Sequence, residues 1–137
     1  MAPCPWWSSE PGEGRGMGEK LIFGCSHAGE DPERAILPFV AANTAAIAGQ
    51  EAVVLLTIEG VRLGTEGGTD GVAMEGFPEL SPLFVEFVGN GGEVWLCGTC
   101  AKPRGITDEQ LAKGAKITGA ANIVEHVING AKMLNFG

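Results

Sequence analysis

Cys97 and Cys100 form a C-x-x-C, Cys97-Gly98-Thr99-Cys100, and the cations Lys102 and Arg104 follow it closely. The thiolate is the reactive form of cysteine, and nearby cations or inward-pointing backbone N–H groups favour it. Gly98 and Gly105 carry no Cβ, so backbone can approach a sulfur there. Together these residues point to thiol chemistry: attack on sulfur, or closure of a reversible disulfide. The plain alternative is that Cys97 is a small buried hydrophobe at a strand end. Cys25 and His27 form a second candidate pair. If their strand neighbours the cysteine strand, they face the same crevice, where His27 could donate a proton or hold an anion. A single C-x-x-C is half a zinc site, and the spacing of Cys25, His27 and His126 matches no zinc pattern, so no metal is expected. Gly64-Thr65-Glu66-Gly67-Gly68-Thr69 lacks the Lys-Ser/Thr of a phosphate loop, so no nucleotide cofactor is expected. The Ser and Asp residues suggest no triad.

The elements that must position these groups alternate between strand and helix. Glu93-Val94-Trp95-Leu96 is short, apolar and β-prone, and Gly98, Pro103 and Gly105 end it. Cys97 therefore sits where a strand gives way to a loop, and the Pro and Gly favour an irregular loop over a thioredoxin-like helix start. Upstream, Lys20–Gly24 reads as strand one. Asp31 with Pro32 opens a helix to about Ala48, with a kink or a shifted start expected from Pro38. The unbroken apolar run of Glu51–Ile58 suits a central parallel strand. Residues 59–76 are Gly- and Thr-rich and read as a mobile loop, with a helical turn near Val72, able to gate a site. Pro78–Gly89 has helical spacing.

After the cysteine loop, Thr107 caps a short helix to Lys113, and Ala115–Thr118 is a short strand. A helix opened by Thr118 or Gly119 runs through Ile128, with His126 at its surface or in the core. Lys132–Phe136 is the last strand. This alternation predicts an α/β fold: a three-layer α/β/α sandwich around a mainly parallel five-stranded sheet.

Composition narrows the partners. The chain has 137 residues, of which 45% are apolar, enough for one domain with a core. Its first 18 residues are rich in Pro, Gly and Ser and read as a flexible arm, leaving a domain over 19–137. Met17 is a possible internal start, and Trp6-Trp7 could anchor the arm to a partner. The net charge of −8 argues against nucleic acid, since nothing supplies a broad basic surface. No long apolar run suggests a membrane span. No signal-like core precedes the cysteines, so a reducing cytoplasm is expected.

LCGTCAKPRGIT resembles the cysteine loop of the DsrE/DsrF-like sulfur-relay family, especially its YchN-like branch, in which Arg-Gly-Ile follows a C-x-x-C at the same offset. The closing NGAKMLNF resembles that family's last strand. The resemblance implies a flavodoxin-like or YchN-like sandwich assembling as homotrimers or homohexamers. It also implies that the cysteine matching Cys97 accepts sulfur as a persulfide and passes it between donor and acceptor proteins. Cys25 is no recognised family feature, which leaves Cys100 and Cys25 both open as resolving partner.

The residues support three readings. The first is a sulfur carrier or sulfurtransferase with Cys97 as nucleophile, its thiolate or persulfide stabilised by Lys102, Arg104 and loop N–H groups. The second is a thiol–disulfide oxidoreductase or redox sensor using Cys97 and Cys100. The third is a non-catalytic oligomer whose cysteines only pack. Leu83, Phe84, Phe87 and Phe136 are the interface candidates if the core does not claim them.

Overall fold

The computed structural model describes residues 19–136; the N-terminal arm lies outside the described residues. Five strands make one sheet: β1 (Lys20–Cys25), β2 (Glu51–Leu56), β3 (Glu93–Cys97), β4 (Ala115–Thr118) and β5 (Lys132–Asn135). Their order is β4-β3-β2-β1-β5, and every pairing is parallel. β2 is central, and its apolar run is buried from Ala52 to Leu56, as a strand covered on both faces must be. It also separates β1 from β3, so the Cys25–His27 segment does not border the cysteine strand.

Helices α1 (Pro32–Ile47) and α2 (Leu80–Gly89) cover one face, and α4 (Ala120–Ile128) covers the other; α3 is the short turn after β3 described below. α1 starts at Pro32, with the Asp31 side chain accepting from the Arg34 N–H, and it runs through Pro38. Phe39 packs on Phe84 and Phe87 of α2, at centroid distances of 5.4 and 6.0 Å. The core thus claims Leu83, Phe84 and Phe87, which corrects their reading as interface candidates. The opposite face is thinner. It buries Ile22, Val53, Leu55 and Trp95, with the His126 ring 5.0 Å from that of Trp95. α4 buries no residue fully, and Val124, Val127 and Ile128 on it stay exposed, as do Met133 and Leu134 of edge strand β5.

The first part of the segment read as a mobile gate is packed, while residues 73–76 are exposed. A 3₁₀ turn spans Ile58–Gly64, with Val61 and Leu63 fully buried. Gly64 lies so close to Leu96 that a Cβ there would collide with it. Thr65 then bridges Leu111. Burial of apolar side chains outweighs the Gly-rich composition here. The helix expected to run to Lys113 shrinks to one 3₁₀ turn, Asp108–Gln110, with Gln110 Oε1 accepting from the Thr107 N–H at 3.1 Å. No helix among the described residues is long and apolar enough to cross a membrane.

Candidate functional site

β3 delivers Cys97 to the carboxyl edge of the sheet, where open α/β sheets gather their binding groups. The chain does not wander after it. Gly98–Ala101 forms a helical turn, α3, with Cys97 at its N-cap, and a 3₁₀ turn over Lys102–Arg104 extends it. This corrects the irregular loop: Pro103 lies late in the helical run, where its fixed φ is compatible with helical turns. Gly105 supplies the stop instead, in the left-handed region at φ 71°. The N–H of Gly105 bonds the Lys102 carbonyl, and that of Ile106 the Ala101 carbonyl, which closes the turn's orphan carbonyls. Gly98 packs tightly: a Cβ there would stand 3.3 Å from the Thr118 carbonyl of β4.

Cys97 and Cys100 are both free thiols and both half-buried. At positions i and i+3 of one helical turn they share a face, and Arg104 returns to that face a turn later. Arg104, however, is not free to serve the sulfur. Its Nη1 donates to the Cys100 carbonyl at 3.0 Å and its Nε to Glu59 at 3.0 Å. Glu59 uses its other oxygen to accept from Arg62 Nε at 2.9 Å. These two arginines hold the Glu59 carboxyl below the usual carboxylate range. Arg104 is therefore a strut tying α3 to the segment after β2, and Glu59 is its anchor. Sequence reading missed Glu59 because the pairing joins residues 45 apart. Lys102 is exposed, and its ammonium pairs with no described residue. No group of three or more metal-ligating side chains occurs among the described residues.

Cys25 stands apart. In the sheet's register it lies level with Leu56, which is level with Leu96, two strand spacings or about 10 Å away. That exceeds the roughly 7 Å limit on Cα separation in a disulfide, so a Cys25–Cys97 bridge needs backbone movement. The Cys25 side chain is also 2% exposed and folded under α1. Its thiol reaches the carbonyls of His27 at 3.5 Å, Ala35 at 3.8 Å and Arg34 at 3.9 Å. The Arg34 carbonyl lacks a helical donor because Pro38, four residues on, has no N–H. Burial above all pushes the Cys25 thiol up to about 12, with a backbone hydrogen bond at His27 opposing the shift and Glu30 adding to it. His27 belongs to the β1 end as well, its Nδ1 2.8 Å from Glu30 Oε2.

A family model described as the DsrE/DsrF-like family matches residues 19–136. The chain belongs to that family. An uncharacterized protein of Methanopyrus kandleri is 29% identical over 104 residues, covering 76% of this chain and 83% of the relative. Another, from Methanocaldococcus jannaschii, is 27% identical over 95 residues, 69% of this chain. The match spans only about a third, 34%, of that longer relative. Among solved structures, the ychN protein of E. coli superposes with a TM-score of 0.71 at 18% identity, covering 86% of this chain and 99% of that one. A protein of unknown function from Methanobacterium thermoautotrophicum superposes at 0.68 and 17%, covering 86% and 99%. At such identities the likeness shows the fold, which is the YchN-like α/β architecture.

Proposed function

We propose that this chain is a sulfur carrier that holds sulfane sulfur as a persulfide on Cys97. The observation that carries the reading is the contrast in access within the DsrE/DsrF-like frame. Cys97 is half-exposed at a strand end and heads a helical turn, whereas Cys25 is sealed under α1. In the transfer, the Cys97 thiolate attacks the outer sulfur of a donor persulfide, R–S–SH. The donor S–S bond breaks, a new S–S bond forms on Cys97, and the donor leaves as a thiolate that takes up a proton. The sulfane sulfur keeps its oxidation state, so no further oxidant is needed. Lys102 is the nearest mobile cation in sequence for the anionic persulfide, and Arg104 fixes the turn. Donor and acceptor are proteins in this reading, and the apolar surface of α4 and β5 is where copies of the chain pack as a homotrimer or homohexamer.

The test is intact mass with peptide mapping after exposure to a sulfane-sulfur donor, on wild type and Cys97→Ser. A gain of one sulfur on Cys97, absent in the variant, supports the carrier; full loading of the variant removes Cys97 from the mechanism.

The helix beginning directly after Cys97 favours a second reading, a thiol–disulfide pair of Cys97 and Cys100. Loss of two hydrogens between these cysteines under mild oxidant, with no sulfur gain, selects it over the carrier.

A further inference from the structure

We infer that the carboxyl ends of β1, β2 and β5 form a second ligand site, separate from the cysteine turn, that takes a small oxyanion. A recess of about 170 Å³ opens there. Its polar lining is Ser26, His27, Arg34, Thr57 and Asn135, and no carboxylate among the described residues lines it. The size suits a ligand of a few heavy atoms.

The lining has hydrogen-bonding capacity that the protein leaves unused. The hydroxyls of Ser26 and Thr57 and the amide of Asn135 have no side-chain hydrogen-bond partner among the described residues. The two basic side chains are oriented from behind. Glu30 fixes His27 through Nδ1, while its other oxygen accepts from the Ala28 N–H at 2.8 Å. That leaves Nε2 as the ring nitrogen without a partner among the described residues. A carboxylate behind a histidine sets its ring orientation and tautomer in this way at many ligand sites. Asp31 likewise holds Arg34 through Nη1 at 2.8 Å, leaving the Nε and Nη2 donors unpaired among the described residues. Glu30 and Asp31 also place negative charge behind the recess. Recognition therefore comes from directed hydrogen bonds, and a millimolar affinity is expected.

The backbone around the recess is specialised too. A Cβ on Gly24 would collide with the Asn135 amide, and one on Gly60 with the Cys25 carbonyl. Between Thr57 and Gly60, Ile58 adopts φ 54°, a left-handed conformation that is costly for a β-branched residue. Such strain gathers at ligand sites because the surrounding structure must enforce it. Here the Thr57 N–H on the Cys25 carbonyl at 2.9 Å and the Gly60 N–H on the Thr57 carbonyl at 2.8 Å hold the turn. The Cys25 thiol at the recess wall is committed to α1 carbonyls and supplies no nucleophile.

The experiment is a two-dimensional amide NMR titration of the full chain with inorganic phosphate and, separately, with acetate. It is run on wild type, His27→Gln, Asn135→Ala and Cys97→Ser. Saturable shifts at Ser26, His27, Thr57 and Asn135 are expected in the millimolar range. His27→Gln should weaken binding at least tenfold, and Asn135→Ala severalfold. Cys97→Ser should bind as wild type, so the result stands or falls independently of persulfide chemistry. Saturation with phosphate alone assigns a tetrahedral ligand, and saturation with acetate alone a carboxylate. The absence of saturable shifts with both anions overturns the site. So does unchanged binding in both His27→Gln and Asn135→Ala with a native spectrum.

Discussion

β1 and β3 both end in a cysteine, and both strands point the same way. The two cysteines differ in the path the chain takes beyond them. After Cys25 the chain runs through an irregular segment and a turn before α1 starts at Pro32, and the sulfur turns under α1, where Pro38 has left a carbonyl without a helical donor. After Cys97 the chain coils at once into α3, and the sulfur stays half-exposed at the head of the turn. The same residue at the same place in a parallel strand is a core group in one case and an accessible thiol in the other. Strand-end position offers an opportunity for chemistry; the next few residues decide whether water and substrates reach it.

The largest expected effect divides the two thiols directly. Cys97→Ser abolishes persulfide loading, while Cys25→Ser leaves it intact. In the native protein iodoacetamide labels Cys97 and Cys100 but spares Cys25 until the chain unfolds, as peptide mapping would read. Labelling of native Cys25 at a rate comparable to Cys97 would erase the contrast.

The second expectation uses pH. The Cys25 thiol is raised from an ordinary 9.0 to about 12 in the folded protein. Its contribution to stability is therefore complete below the unfolded value and is lost as pH rises from about 9 towards about 12. The slope approaches about 1.4 kcal/mol per pH unit. Urea unfolding across this alkaline range should show that loss in wild type and a shallower one in Cys25→Val. Equal slopes would mean that Cys25 is not sealed.

Third, Gly60→Ala drives a methyl into the Cys25 carbonyl and should cost about 1–3 kcal/mol. Thermal unfolding measures that cost. The change should disturb the β1 end while leaving loading of Cys97 near normal. The smallest effect concerns the strut. Arg104→Met frees the Cys100 carbonyl and Glu59, and should slow persulfide loading severalfold without abolishing it. Stopped-flow or quenched mass measurements would check this, and an unchanged rate would reduce Arg104 to a surface ion pair.

Much of this contrast could be read along the chain, but not its geometry. Five strands in alternation with helices, the Asp31–Pro32 helix start and the C-x-x-C at the end of β3 all rest on local signals: apolar period, capping chemistry and turn residues. Those signals act over a few residues, and the folded chain obeys them. They failed where a distant partner outweighed them. The Gly-rich stretch after β2 looked loose, yet Val61, Leu63 and Val72 pull it into the core. Pro103 and Gly105 suggested an irregular loop after Cys97, yet only Gly105 ends the helical turn.

By itself, then, the sequence determined the fold class, the family and the place of the C-x-x-C at a strand end, because each is written in residues close together in the chain. Tertiary structure alone decided the strand order that puts β2 between Cys25 and Cys97, the sealing of Cys25 by α1, and the capture of Arg104 by Glu59. Each of these depends on which groups meet in space across a parallel sheet, and residues 45 apart that share an ion pair leave no periodic trace in the chain.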